Sequence, residues 1–270
     1  MSTDSSKLIY YYQTFSSLGP LVALPLNNVV VYVCSLHFGQ DSVTKAPYLH
    51  LNDYPPDTFT DLWSDLEAAS QSGIRIMAML GGAGLAYGSL FNDFSTYYRL
   101  LWAFLQSYPF IRGIDLDVEE TVRLEDIQRL IRILHEDFGG EGREFTITLA
   151  PLVGSITDDG PGLGGFCYKT LLDSPEGEYI DWFNVQTYGC YTQDTYQSMV
   201  KNGYRPEQLV MTMLGNEYTP KTFPTALTEI QKIKAEYPTV AGCGLWEYGD
   251  TTVSPLLWGD KLADILGEPS

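Results

Sequence analysis

The segment Ile111–Glu120, IRGIDLDVEE, sets Asp115, Asp117 and Glu119 at alternate positions, with Ile114, Leu116 and Val118 between them. Successive side chains of a β-strand point to opposite faces, so this spacing predicts three carboxyls on one face and three aliphatics on the other. A helix would scatter them. Like charges this close disfavour one another's ionisation, so folding gives little reason for the arrangement and a chemical task gives a better one. The trio could instead hold Mg²⁺ or Ca²⁺, because hard cations favour carboxylates. Neither a phosphate-cradling loop nor a calcium-loop spacing accompanies it, and activity is expected to survive EDTA.

Such a strand must be held by others. Apolar, β-branched runs predict eight strands at Leu8–Phe15, Val29–Ser35, Ile74–Leu80, Gly113–Val118, Phe145–Leu149, Trp182–Thr187, Leu209–Leu214 and Gly242–Trp246. Helical periodicity is clearest in Leu124, Ile127, Leu130, Ile131, Leu134 and Phe138, with Glu125 and Asp126 in the first turn and Gly139-Gly140 as the stop. Further helices are expected at Asp57–Ser72, Ser95–Tyr108, Gln193–Asn202, Pro224–Glu236 and Leu256–Leu266, while those after the first and fifth strands are poorly marked. Strands alternating with helices imply right-handed βαβ units, and eight of them predict an α/β fold closed as a single (β/α)8 TIM barrel over residues 1–270. No Pro/Ser-rich linker or internal repeat divides the chain. Gly160–Gly165 reads as a long loop after the fifth strand, either simply flexible or lining a substrate.

In such a barrel the active site lies at the C-terminal ends of the strands, so position along the acidic strand becomes depth. Asp115 is deepest, Asp117 lies above it and Glu119 is at the mouth. A carboxyl at the rim can meet a leaving group, and the pair beneath it can share a proton. Glu120 points away from that face or begins the loop.

The 270 residues, 44% of them hydrophobic, suffice for one large core. A net charge of -18 and a pI near 4.3 argue against nucleic acid and anionic membrane surfaces, both of which call for clustered Lys and Arg. No stretch is long enough to span a bilayer. The first 30 residues lack a basic segment followed by an apolar run, so no signal peptide is legible. A cytoplasmic location is the expectation, or a secreted one if a leader has been removed. None of the seven Asn residues begins an Asn-x-Ser/Thr sequon, which fits the first. Cys34, Cys167, Cys190 and Cys243 show no metal spacing and are expected to be buried thiols. A monomer is expected. Aromatic residues make up 13% of the chain, with 19 tyrosines, and sugar clefts use ring faces, although most of these rings must be core.

The run GIDLDVE, Gly113–Glu119, resembles the fourth-strand signature of family 18 glycoside hydrolases, the chitinases and endo-β-N-acetylglucosaminidases, written DGxDxDxE. All three strand-face acids are kept; Arg112 stands where the family usually has its first Asp. MLGGAG, Met79–Gly84, is similar to the end of the family's third strand, FTITLAP to its fifth, IDWFNVQTYG to its sixth and CGLWEYG to its eighth, with a looser likeness at YYYQTF. Gly189 follows Tyr188 where many relatives carry an Asp or Asn that contacts the sugar, so that edge is expected to be relaxed or taken over by a loop. The short connection from Gly215 to Ala241 leaves no room for an α+β insertion, and the open groove that results favours endo action.

The resemblance implies retaining, substrate-assisted cleavage of GlcNAc-β-1,4-GlcNAc bonds with no metal or organic cofactor. Glu119 would protonate the glycosidic oxygen and later activate water, Asp117 would orient the acetamide and stabilise the oxazolinium ion, and Asp115 would support Asp117. Tyr188 would hydrogen-bond the acetamido group, Gln186 would help place it and Trp246 would stack beneath the ring, with Asn184 and Gly82 also expected at the substrate. The implied partner is a GlcNAc-containing oligo- or polysaccharide. Chitinase-type action on chitin or chitooligosaccharides is the first expectation; the alternatives are an endo-β-N-acetylglucosaminidase cutting the chitobiose core of N-glycans and a non-catalytic lectin.

Overall fold

The computed structural model describes residues 6–140 and 144–267. Among the described residues, nine strands form one sheet: β1 (Lys7–Tyr12), β2 (Val29–Gln40), β3 (Pro47–Leu51), β4 (Arg75–Gly81), β5 (Ile111–Asp117), β6 (Thr146–Leu149), β7 (Trp182–Gln186), β8 (Leu209–Leu214) and β9 (Gly242–Trp246). All but β3 are parallel, and β1 pairs with both β2 and β9, which closes an eight-stranded barrel. The α-helices of the described residues are α1 (Gly19–Val22), α2 (Thr60–Gln71), α3 (Tyr87–Asn92), α4 (Phe94–Ser107), α5 (Leu124–Phe138), α6 (Gly154–Thr157), α7 (Tyr168–Leu172), α8 (Gln193–Lys201), α9 (Phe223–Glu236) and α10 (Pro255–Leu266).

Strand alternation divides the core in two. Along β1, Leu8, Tyr10 and Tyr12 face outward into the layer beneath the helices, whereas Ile9 and Tyr11 face into the barrel with Val30, Tyr32, Met77, Met79 and Val210. Helix α5 buries Ile127, Leu130, Ile131, Leu134 and Phe138 against the outer face. At about 1.5–3 kcal/mol per buried side chain, that stripe alone contributes roughly 10 kcal/mol of gross burial, so the element following the acidic strand is firmly seated.

The predicted strands and helices are present, with ends shifted by a few residues. After β1 only the four-residue α1 forms, and after β6 only the short α6 and α7, as the weak periodicity there implies. The structure departs from the predicted eight strands at β2, which continues beyond Ser35 to Gln40 and turns back as the antiparallel β3. That hairpin packs Leu36, Phe38, Leu49 and Leu51 inward. Its edge strand opens on Pro47, where no ladder donor is needed, and this disguised it as a loop in the sequence. The cysteine expectation is half corrected: Cys34 and Cys243 are buried, but Cys167 and Cys190 lie in loops above the strands and are partly exposed. No helix among the described residues is long and apolar enough to cross a membrane.

Candidate active site

Parallel pairing of β5 between β4 and β6 fixes which way its carboxyls point. Asp115 lies opposite Met79 and Thr148, and Asp117 opposite Gly81, so both acids stand inside the barrel at its C-terminal end. Asp115 is fully buried and well satisfied. Tyr11 Oη donates to its Oδ2 at 2.8 Å, while Thr148 Oγ1 and Asn184 Nδ2 donate to its Oδ1 at 2.6 and 3.0 Å. Asp117 has far less support: Gln186 Nε2 at 3.3 Å is its one side-chain donor among the described residues.

This difference decides where a proton sits. Burial pushes the Asp115 carboxyl up to about 6, and its three donors hold it there against a larger rise. Asp117 is driven well above the ordinary carboxylate range by burial first, then by the Glu119 and Asp115 charges. A proton held by the pair therefore belongs on Asp117 and the negative charge on Asp115, whose donors require an acceptor.

Strand β5 ends at Asp117, so Glu119 is delivered by the first residues of the following loop and is partly exposed. Above β7, Tyr188 is partly buried beside Asp117 and Glu119, and burial with those two charges keeps its phenol protonated. Gln186 bridges Asp117 to the Ala150 carbonyl, 3.0 Å away. Trp246 ends β9 and packs on Tyr11 with ring centroids 5.2 Å apart, which places its ring at the floor of the barrel mouth. Gly82 sits at φ +81°, its N–H donating to the Asp117 carbonyl at 2.9 Å. A Cβ there would stand 3.3 Å from Asp117 Oδ2, so a glycine keeps this wall clear.

Asn184 requires a correction. It is 0% exposed and spans Asp115, Tyr32 and the Trp182 indole beneath the floor, so it positions Asp115 and does not reach a sugar. Sequence reading also passed over Tyr11, Tyr32 and Thr148, which complete the same buried network. Their signal was strand alternation: each points inward like the acids.

Glu120, set aside at the sequence level, makes the strongest anchor at the rim. Its carboxylate accepts the N–H groups of Ala86, Tyr87 and Gly88 at 2.5, 2.8 and 2.9 Å. The loop carrying Glu119 is thereby tied to the start of α3 and to the Gly82 loop. Glu247 does the same between β9 and β1, accepting from the Gln13 N–H at 3.1 Å and from Thr14 Oγ1 at 3.1 Å.

Both departures from the family pattern have structural answers. Arg112 is exposed at the start of β5, five residues and about 17 Å from Asp117, and lines a crevice with Arg75 and Glu144 at the opposite end of the barrel. At Gly189, φ +73°, the N–H donates to Glu217 Oε1 at 2.5 Å. A carboxylate from the loop after β8 thus stands at the edge that lacks an acid. The Gly160–Gly165 loop also reaches the site: Gly162 and Leu163 share a crevice of about 400 Å³ with Gln186 and Tyr188.

A carboxyl pair without a cationic partner among the described residues, under a rim acid and beside an indole floor, suits a reaction that builds positive charge on a sugar ring. The chain is a glycoside hydrolase. It belongs to glycosyl hydrolases family 18, whose model matches residues 7–238. Among solved structures it is similar to a fungal endo-β-N-acetylglucosaminidase of that family, at 31% identity over 97% of this chain and 98% of that one, with a TM-score of 0.83. The chitinase ChiC from Aspergillus fumigatus is 29% identical over 96% and 98%, with a TM-score of 0.79. A family 18 chitinase from Pseudoalteromonas aurantia, 20% identical over 97% and 100% with a TM-score of 0.74, shares the fold. No curated protein matches the chain.

Proposed function

We propose that the chain is an endo-acting, retaining hydrolase of the GlcNAc-β-1,4-GlcNAc bond in which the substrate's own acetamido oxygen is the nucleophile. The observation that carries this reading is the buried Asp115–Asp117 pair. A protonated Asp117 can hydrogen-bond the acetamido nitrogen or oxygen, and as its proton shifts towards Asp115 the pair supplies negative charge to the forming oxazolinium ion. No protein nucleophile is then needed. Glu119, at the rim, protonates the departing oxygen and then takes a proton from the water that opens the ring. The Tyr188 phenol donates to the acetamide and Trp246 underlies the sugar. Proton transfers stay within Glu119 and the Asp pair, so no metal or organic cofactor enters the scheme.

Chitooligosaccharides and the cores of N-linked glycans both contain this bond, and solved structures similar to the chain include proteins named for each activity. Digesting chitohexaose and a high-mannose glycopeptide side by side, with the anomer of the first product read by NMR, tests the proposal. A β-anomeric product from either donor supports it. An α-anomeric product, or no turnover of either with chitooligosaccharide still bound, replaces it with an inverting enzyme or a lectin.

A further inference from the structure

Beyond Gln186 the site does not end. Residues Pro151–Gly154 run beside the top of β7, with the Gln186 N–H donating to the Pro151 carbonyl at 2.9 Å and the Val153 N–H to the Gln186 carbonyl at 3.3 Å. Val153 and Gly154 line the crevice next to Tyr188 on one side, and on the other a second, larger trough of about 680 Å³. Its volume lies within the roughly 300–1,000 Å³ of small-ligand sites, yet its walls are unlike the usual apolar pocket. One wall is α6 with Thr157 and Asp158; the other is a single stripe of α8, where Asp194, Ser198 and Lys201 recur at i, i+4 and i+7. Asn202 closes the far end, its amide donating to the Ile156 carbonyl and to Asp159 Oδ1, both at 2.8 Å.

The shape and chemistry select an occupant. None of the lining residues is aromatic, so the trough offers no stacking face for a straight run of sugar rings. It offers hydroxyls, carboxylates and an ammonium, which suit vicinal sugar hydroxyls that donate and accept at once. Helix α8 starts at the rim and runs back towards the N-terminal end of the barrel, so the trough begins beyond Val153 and Gly154 and descends about 10 Å along the outer wall from Asp194 to Lys201. A linear chitin chain lying across the mouth has no residue to send there. A branched glycan does.

We propose that this trough between α6 and α8 binds an outer hexose arm of a branched N-glycan whose GlcNAc lies over Asp117, and that the preferred substrate is an N-glycan rather than chitin. This rests on the bond-cleaving reading above. The test uses the full chain carrying Glu119→Gln, titrated with a branched α-linked mannopentaose that lacks the chitobiose unit, with and without Ser198→Trp or Lys201→Glu. Ser198 is exposed on α8, so the tryptophan fills the trough without entering the core. Binding of the mannopentaose is expected, weakened about tenfold or more by either substitution, a loss of the order of one well-made hydrogen-bond pair. Absent binding, or binding that neither substitution weakens, overturns the proposal. In the otherwise wild-type enzyme, kcat/KM on a high-mannose glycopeptide should exceed that on the same glycopeptide trimmed to one mannose, and Ser198→Trp should collapse the ratio. A ratio unchanged by Ser198→Trp also overturns the arm site, whereas failure to cleave either glycopeptide or chitohexaose while mannopentaose binds overturns the bond-cleaving reading alone.

Discussion

The two ends of the barrel treat charge in opposite ways. At the N-terminal ends of the strands, Lys7 lies 4.6 Å above the Trp182 ring, Arg75 pairs with Glu144 at 3.5 Å and with Thr146 at 2.9 Å, and Asp181 accepts the Ile147 N–H at 2.9 Å. At the C-terminal ends, Asp117 meets two like charges, Glu119 and Asp115, with Gln186 as its weak donor. At the first end these charges are offset, and their residues act on stability. At the second a charge imbalance is held in place by a firm scaffold, which makes sense where the missing positive charge is one that develops on a substrate.

Substitutions at the two ends should therefore separate activity from stability. Glu119→Gln keeps the size of the rim residue and removes its proton; kcat on any cleaved substrate should fall by about 10³, within the span of general acid–base catalysis, while the melting temperature stays within a few degrees. A turnover left unchanged would remove Glu119 from the chemistry. Asp117→Asn comes next, with a fall of about 10²–10³ as its charge at the forming cation is lost. Steady-state kinetics with circular dichroism melts as a control measures both.

Glu120 tests how far the scaffold matters. Glu120→Ala leaves the Ala86, Tyr87 and Gly88 N–H groups without their acceptor, and should lower stability by about 2 kcal/mol and kcat by about tenfold, with KM changing less. Glu120→Gln retains one oxygen but turns an amide towards Gly88, so it should fall between alanine and wild type. Equal losses in kcat and KM for both variants would point to a loosened groove instead of a misplaced Glu119.

The charge imbalance also predicts a pH signature. The folded pKa of Asp115 lies near 6 against 3.8 ordinarily, and Asp117 is shifted in the same direction. Between those values the folded protein keeps protons that the unfolded chain has released, so this pair's contribution to stability is present at acid pH and is lost as pH rises through about 4 to 6. Asp117→Asn removes one of the two acids. Its melting temperature relative to wild type should climb as pH goes from 4 to 7, by on the order of 5 °C. A constant difference across that range would mean the pair is not strained.

Much of this was legible in the sequence because two periods coincide with two tasks. Period-two alternation in Ile111–Glu120 gave both the strand and the inward face, and the 3.6 period of Ile127 to Phe138 gave the helix that seats it. What was not legible depends on contacts between segments distant in the chain. Tyr11 lies 104 residues from Asp115 and looks like any core tyrosine until the barrel closes. Asn184 faces inward as alternation requires, but alternation gives a face and not a depth, and the ring of donors around Asp115 lies beneath the floor. Glu120 is a loop residue by every local rule, and its partners, 32 to 34 positions earlier, become visible only when α3 is brought beside it.

The smallest expected effect is the sharpest check on the contrast between the ends. Arg112→Asp restores the family signature to all eight positions of the acidic strand, and a reading from the motif alone would expect it to matter. Arg112 is exposed at the start of β5, at the far end of the strand from Asp117, beside Arg75 and Glu144. The substitution places an acid next to Glu144 and takes away a nearby cation, so a slight destabilisation of up to about 1 kcal/mol is expected, diminishing with salt. Turnover should stay within about twofold of wild type, since the change is roughly 17 Å from the Asp117 carboxyl and lies well beyond a screening length at physiological ionic strength. A tenfold change in kcat would show that the two ends are coupled through β5, and that the charges at its start help set the proton on Asp117.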